Sequence, residues 1–162
     1  MTSAISIIKD EHRSIAAVIK GLVSHVTDAK SGRTGPDFHL AAAMLDYIQA
    51  FPERLHHPKE DEYLFRYLRL RCADAHPVLD ELEAQHTRGA EMLNDLRQTL
   101  GESRTAGNFE AFEKALNAYA EFQWDHMRKE EELVLPLAEQ HLTKDDWQAI
   151  DAAFQANVSR DW

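Results

Sequence analysis

The sequence predicts an all-α protein: an up-down-up-down antiparallel four-helix bundle followed by a short C-terminal tail helix. Three observations carry this. Apolar positions recur at intervals of three and four along nearly the whole chain, short polar breaks separate the periodic segments, and the first half of the pattern is repeated in the second. Residues three and four apart share a helix face, so this spacing marks a buried stripe. Short connections between long helices place neighbours antiparallel.

The first element follows Ile5, Ile8, His12, Ile15, Ile19, Leu22 and Val26 without a miss, and the polar stretch Asp28 to Pro36 ends it. The second, roughly Asp37 to Arg71, is the least regular, and its latter half follows His56, Glu60, Tyr63, Tyr67 and Leu70. Pro52 and Pro58 sit inside it, and each is expected to remove a backbone hydrogen bond and kink the helix. Cys72 to Pro77 reads as a connector, with Pro77 at a first-turn position where a missing N–H does no harm. The third element follows Leu79, Leu82, His86, Gly89, Leu93, Leu96 and Leu100, and Gly101 to Asn108 reads as a loop. The fourth follows Phe112, Leu116, Tyr119, Gln123, His126, Glu130, Leu133 and Leu137. A tail helix is expected after Thr143, capped by its hydroxyl with Asp146 at the capping-box position, and carrying Trp147, Ile150 and Phe154.

The repeat brings out the chemistry. His56 to Arg69, HHPKEDEYLFRYLR, and His126 to Glu139, HMRKEEELVLPLAE, share a His, a Glu four positions later with Lys before it, further acids, and an apolar run. Ile8 to Leu22 likewise matches Leu82 to Leu96 and sets His12 on His86. Each half therefore offers one lone His and one His-x-x-x-Glu pair. Residues i and i+4 of a helix stand about 5–6 Å apart between Cβ atoms, so such a pair can reach one metal ion or share a second. At about 3.6 residues per turn, His12 and His86 lie two to three turns from the starts of their helices, and Glu60 and Glu130 about three turns before the ends of theirs. Antiparallel packing then brings all six side chains to one level.

All six also occupy seam positions where Leu or Ile would otherwise stand. Burying even one unpaired carboxylate costs several kcal/mol. Two divalent ions would offset that cost, bridged by Glu60 and Glu130 and capped by the imidazoles of His12, His56, His86 and His126. A lone seam histidine is more often a satisfied core residue than a ligand; six polar seam residues at one depth favour metal. Asp61 and Glu131 are the fallback carboxylates, and Glu62 and Glu132 belong to the solvated face. His25, His39, His57, His76 and His141 read as surface residues, and Tyr63 and Tyr67 as core packing.

With 162 residues, 44% of them hydrophobic, the chain fits a single domain over 1–162. Basic and acidic residues number 18 and 28, giving a net charge of −10 without a basic stripe, which argues against nucleic acid as a partner. The single cysteine, Cys72, excludes an internal disulfide framework and a thiolate site of its own. Charges at Lys9, Asp10, Glu11 and Arg13, and the lack of any apolar stretch of membrane-spanning length, predict no signal peptide, no membrane association and a cytoplasmic protein.

Taken in order, lone His12, HHPKED, lone His86 and HMRKEE resemble the hemerythrin-like, HHE cation-binding family over nearly the whole chain. The resemblance implies a non-haem di-iron centre at one end of the bundle. His56 with Glu60 and His126 with Glu130 would be the helix pairs, and His12 and His86 the single ligands. The chain departs from oxygen-carrying hemerythrins, which have a His-x-x-x-His pair on the third helix, where Leu82 and Ala90 flank His86 here. Their aspartate five positions after the last His is Glu131 in this chain, with Glu130 competing. Four His and two Glu are nearer the bacterial iron-repair and nitric-oxide-response branch, although the residue before the third-helix His, often acidic there, is Gln85.

A mixed imidazole and carboxylate set suits Fe, Mn or Zn. The expected cofactor is a pair of Fe ions, with Zn or Mn as substitutes. Two imidazoles and two shared carboxylate oxygens per ion leave positions open for a small diatomic ligand, O2 or NO. The expected function is to bind O2 or NO, or to handle iron in response to them, as a binding or sensing protein more than an enzyme. One alternative is a ferroxidase-like di-iron oxidase, against which the lack of Glu-x-x-His pairs counts. The other is a metal-free structural or regulatory bundle, against which the buried polar level counts.

Overall fold

A computed structural model describes residues 3–158; residues 1, 2 and 159–162 of the expected domain lie outside the described residues. Five helical runs and no strand are found among the described residues. Helix α1, Ala4–Lys30, starts at Ser3, whose hydroxyl accepts the Ser6 N–H at 3.2 Å. Helix α2 occupies residues 38–71, and the Asp37 carboxylate caps it by accepting the Leu40 N–H at 2.9 Å. Helix α3 is His76–Ala106, helix α4 occupies residues 110–141, and helix α5 is Lys144–Val158. Each of α1 to α4 packs on its neighbour in sequence, α1 also packs on α4, and α5 lies across α1 and reaches the middle of α2. This neighbour pattern fits an up-down-up-down bundle with a tail helix.

The core is divided in two. One apolar cluster gathers Ile15, Ile19, Leu22, Leu45, Ile48, Leu93, Leu96, Phe112, Leu116 and Tyr119. The other gathers Ile7, Ile8, Leu64, Phe65, Leu68, Leu79, Leu82, Val134, Leu135, Ile150 and Phe154. His12 falls between the two on α1, His56 and Glu60 on α2, His86 on α3, and His126 and Glu130 on α4. A polar layer is therefore sandwiched between two apolar ones.

Helices α2 and α4 depart from regular α geometry at matching places. In α2, Phe38–Ile48 is α-helical, Gln49–His56 is π-helical, His57–Lys59 makes an α turn, Glu60–Phe65 is π-helical again, and Arg66–Arg71 returns to α. In α4, Glu110–Lys129 is α-helical, Glu130–Val134 is π-helical and Leu135–His141 is α-helical. The His57 N–H bonds the Pro52 carbonyl and the Leu135 N–H bonds the Glu130 carbonyl, each five residues back. Pro52 lies within the first π-helical stretch and Pro58 in the α turn that follows it, and the helical run continues through both. Prolines lack the donor that an α turn would use, so widening the helix beside them sacrifices less hydrogen bonding.

A wider turn advances the buried face by one residue, which corrects two predicted seams. After Glu60 the buried positions are Leu64, Phe65 and Leu68, while Tyr63 and Tyr67 are half-buried and Leu70 is 68% exposed. After Glu130 they are Val134, Leu135 and Ala138, while Leu133 is 47% exposed. A third correction concerns the loop expected at Gly101 to Asn108, because α3 runs on to Ala106 and ends at Gly107, whose φ of 79° is left-handed. Burial of Ser103, whose Oγ accepts the Phe112 N–H at 3.1 Å, draws that last turn against α4 and outweighs the modest helix penalty of Gly101.

The tail helix begins as expected. The Asp146 N–H donates to Thr143 Oγ1 at 3.1 Å, and the Thr143 N–H donates to Asp146 Oδ2 at 3.0 Å, closing the capping box. Arg71 at the end of α2 bonds the same carboxylate at 2.8 Å; together these contacts hold the Asp146 pKa down to about 2.

Candidate metal centre

Every residue named from the sequence for the site arrives in the polar layer. Glu60 and Glu130 are fully buried, and His12, His56, His86 and His126 are each at most 7% exposed. The two carboxylates divide the imidazoles into two groups. Glu60 Oε2 lies 3.2 Å from His56 Nε2 and 3.8 Å from His12 Nε2, and Glu130 Oε2 lies 3.2 Å from His12 Nε2. On the other side, His86 Nε2 lies 3.2 Å from Glu60 Oε1 and 3.6 Å from Glu130 Oε1, and His126 Nε2 touches Glu130 Oε1. Each Glu therefore turns one oxygen to each group. Ligand atoms of His12, His56, Glu60 and Glu130 lie within 4.8 Å of one another, and so do those of His57, Glu60, His86 and His126.

The opposite nitrogen of each ring explains the orientation. His12 Nδ1 donates to Glu131 at 3.3 Å, His56 Nδ1 to Glu11 at 2.7 Å, His86 Nδ1 to Asp61 at 2.8 Å, and His126 Nδ1 to Gln85 Oε1 at 2.8 Å. An outer oxygen acceptor fixes the tautomer and swings Nε2 inward, as at histidines that ligate metals. Asp61 and Glu131, the fallback carboxylates, thus serve as outer partners. Each acid one step beyond an inner Glu reaches across to the lone His of another helix.

Several participants were not identified from the sequence. Glu11 precedes a seam residue in α1, and nothing local ties it to His56, which lies 45 positions away. Asn157, on α5, donates its side-chain N–H to Glu11 Oε1 at 3.3 Å and Oε2 at 3.1 Å, and Lys59 bonds the Asn157 carbonyl oxygen. Phe154 packs against His56 with ring centroids 6.1 Å apart. His57, expected at the surface, is instead 6% exposed and stacks on His86 at 4.3 Å. It opens the short α turn between the two π-helical stretches of α2, and the altered angular spacing there brings both neighbouring histidines inside. Among the other histidines expected at the surface, His39, His76 and His141 are exposed, and His25 is half-buried and accepts the Asp37 N–H.

The donor set fits a metal. Nε2 of His56, His86 and His126, and both oxygens of Glu60 and of Glu130, are buried without a hydrogen-bond partner among the described residues. Leaving so many polar atoms unsatisfied in an interior is costly, whereas cations that take up their lone pairs would satisfy them together.

Without metal the layer is a lattice of opposite charges. Burial opposes charging of His12, but the carboxylates of Glu130, Glu131 and Glu60 beside it raise its pKa well above the ordinary value. Against the same burial, the charge of Glu60 and the bond to Glu11 lift His56 to about 9, and the bond to Asp61 with the nearby carboxylates of Glu130 and Glu60 lifts His86 to about 12. Burial would raise both inner glutamates, yet the surrounding imidazoles hold Glu60 and Glu130 below the usual carboxylate range. His57 goes the other way: burial, with the charges of His86 and His56, overrides the contact with Glu53 and takes it down to about 4.

No helix among the described residues is long and apolar enough to cross a membrane. None of the curated proteins compared with the chain is similar enough in sequence to count as a relative. The family model described as the hemerythrin HHE cation binding domain matches residues 3–138, a span that takes in both His-x-x-x-Glu pairs and both lone histidines of the polar layer. Its coverage of most of the chain, on helices that bring these residues together, shows that the protein belongs to the hemerythrin HHE cation-binding family.

Proposed function

We propose that the chain holds two metal ions, iron by preference, and binds O2 or NO at them or handles iron in response to these gases. The supporting observation is that Glu60 and Glu130 each turn one buried oxygen to His12 and His56 and the other to His86 and His126, with all four oxygens lacking a hydrogen bond among the described residues. His12, His56 and the Oε2 atoms of Glu60 and Glu130 would hold one ion; His86, His126 and the two Oε1 atoms would hold the other. Bound iron would supply the ferrous to ferric change and positions open to a small ligand.

The protein contributes the rest. Glu131, Glu11, Asp61 and Gln85 hold the four Nε2 atoms toward the carboxylates. Apolar clusters above and below keep bulk water from the layer.

The test is metal content of protein purified from its own host, followed by anaerobic reduction and separate titration with O2 and NO. Two ions per chain, mostly iron, and a change in visible absorption with either gas are expected. A ratio near one, or a reduced centre indifferent to both gases, would overturn the proposal. Sustained turnover of added ferrous iron under oxygen would replace it with an oxidase function.

A further inference from the structure

The four inward-facing imidazoles obey one rule, with Nδ1 on an outer oxygen and Nε2 toward the carboxylates. A fifth imidazole, His57, lies against the same layer with a carboxylate beside its Nδ1. His57 Nδ1 lies 3.4 Å from Glu53 Oε1, a residue four positions earlier on α2. A ring nitrogen of His57 also lies within 4.8 Å of donor atoms of Glu60, His86 and His126.

Packing alone does not account for this residue. An apolar ring would fill the space beside His86 without desolvating two nitrogens. His57 Nδ1 and Glu53 Oε1 are both buried without a hydrogen-bond partner among the described residues, a cost that an apolar side chain at position 57 would not incur. The nearly parallel stack on His86, with rings tilted by 19°, fixes the His57 ring against that of a neighbour in the layer.

We propose that His57 is a third imidazole donor to the ion on the His86 and His126 side, oriented by Glu53. The inference rests on the two-ion proposal above. It makes the centre unsymmetrical, with three nitrogen donors on that side and two, His12 and His56, on the other. The ion with two imidazoles is then the more open and the first to leave.

The experiment compares wild type with His57→Gln and His57→Phe, the latter keeping a ring for stacking but no nitrogen donor. Each is loaded anaerobically with 57Fe, read by Mössbauer spectroscopy, and stripped with a competing chelator; circular dichroism of the metal-free forms controls for folding. Wild type should hold two irons giving two distinct quadrupole doublets. Both variants should hold one of the two ions about tenfold or more weakly, with the spectrum changed. Two irons in wild type, with both variants keeping the same two doublets and affinities, would overturn the role of His57 and leave the two-ion proposal standing. Fewer than two irons in wild type would overturn both.

Discussion

Glu60 and Glu130 present four oxygens to four imidazole nitrogens, and none of the four forms a hydrogen bond among the described residues. Their outer neighbours in sequence face solvent: Glu62 and Glu132 are exposed. Glu60→Ala or Glu130→Ala should therefore lose at least one ion per chain, whereas Glu62→Ala and Glu132→Ala should keep both; metal analysis after desalting decides. If the exposed pair mattered more, the assignment of the inner pair would fall. The sequence made this inner set legible because the duplication repeats it and because polar residues on an apolar seam stand out. Glu11, Glu53 and Asn157 did not stand out, since each acts on a residue that local pattern does not connect to it, and His57 was masked by α2's change of turn width.

Protonation gives a second prediction at the same scale. In the metal-free protein His56 titrates near 9 against an ordinary 6.5, so its stabilising contribution is full below pH 6.5 and is lost as pH rises through 9. The inner glutamates are depressed below 4.5, so theirs is present above that value and fades on acidification. The metal-free fold should be most stable at about pH 5 to 6.5. Metal must displace the imidazole protons, so its affinity rises over the range where the metal-free fold weakens. The rise in Tm produced by Zn or anaerobic ferrous iron should accordingly be larger at about pH 8.5 than at about pH 6, as scanning calorimetry would show. An equal or smaller rise at the higher pH would mean that these histidines are not the groups displaced.

Among the elements, the buried stripes of α1 and α3 were readable nearly residue by residue, because an unbroken α-helix keeps one period, although the end of α3 from Gly101 to Ala106 was expected as loop. The latter halves of α2 and α4 were not, because π turns beginning at Glu60 and at Glu130 shift every later buried position by one. Hydrophobic spacing of three and four assumes a constant turn and cannot register such a change. Helix α5 was legible from its capping box but its role was not, since Asn157 meets Glu11 only through the fold. Asn157→Ala should release Glu11 and let the His56 ring turn. Metal affinity should fall roughly tenfold while the metal-free helix content stays unchanged. Chelator competition together with circular dichroism measures both, and unaltered affinity would restrict α5 to a covering role.

For the molecule as a whole, the polar layer separates two apolar cores and is stabilised by charge pairing alone when metal is absent. Free metal held at about a thousand times its Kd adds about 4 kcal/mol to the stability of the folded state. Chelation should lower Tm correspondingly. It should also speed hydrogen exchange first in the turns beside His12, Glu60, His86 and Glu130, while amides around Leu45, Leu96 and Leu116 keep their protection. Uniform loss of protection would show the two cores to be one cooperative unit.

The bond from Asn157 to Glu11, and from Glu11 to His56, also makes the tail and the ions mutual effectors. Whatever free energy metal contributes to seating α5 must return, equal in size, as the effect of seating α5 on metal affinity. Couplings of this kind usually amount to about 1–3 kcal/mol, or 5- to 150-fold in affinity. A change that freed α5 would thereby lower metal affinity without altering a ligand.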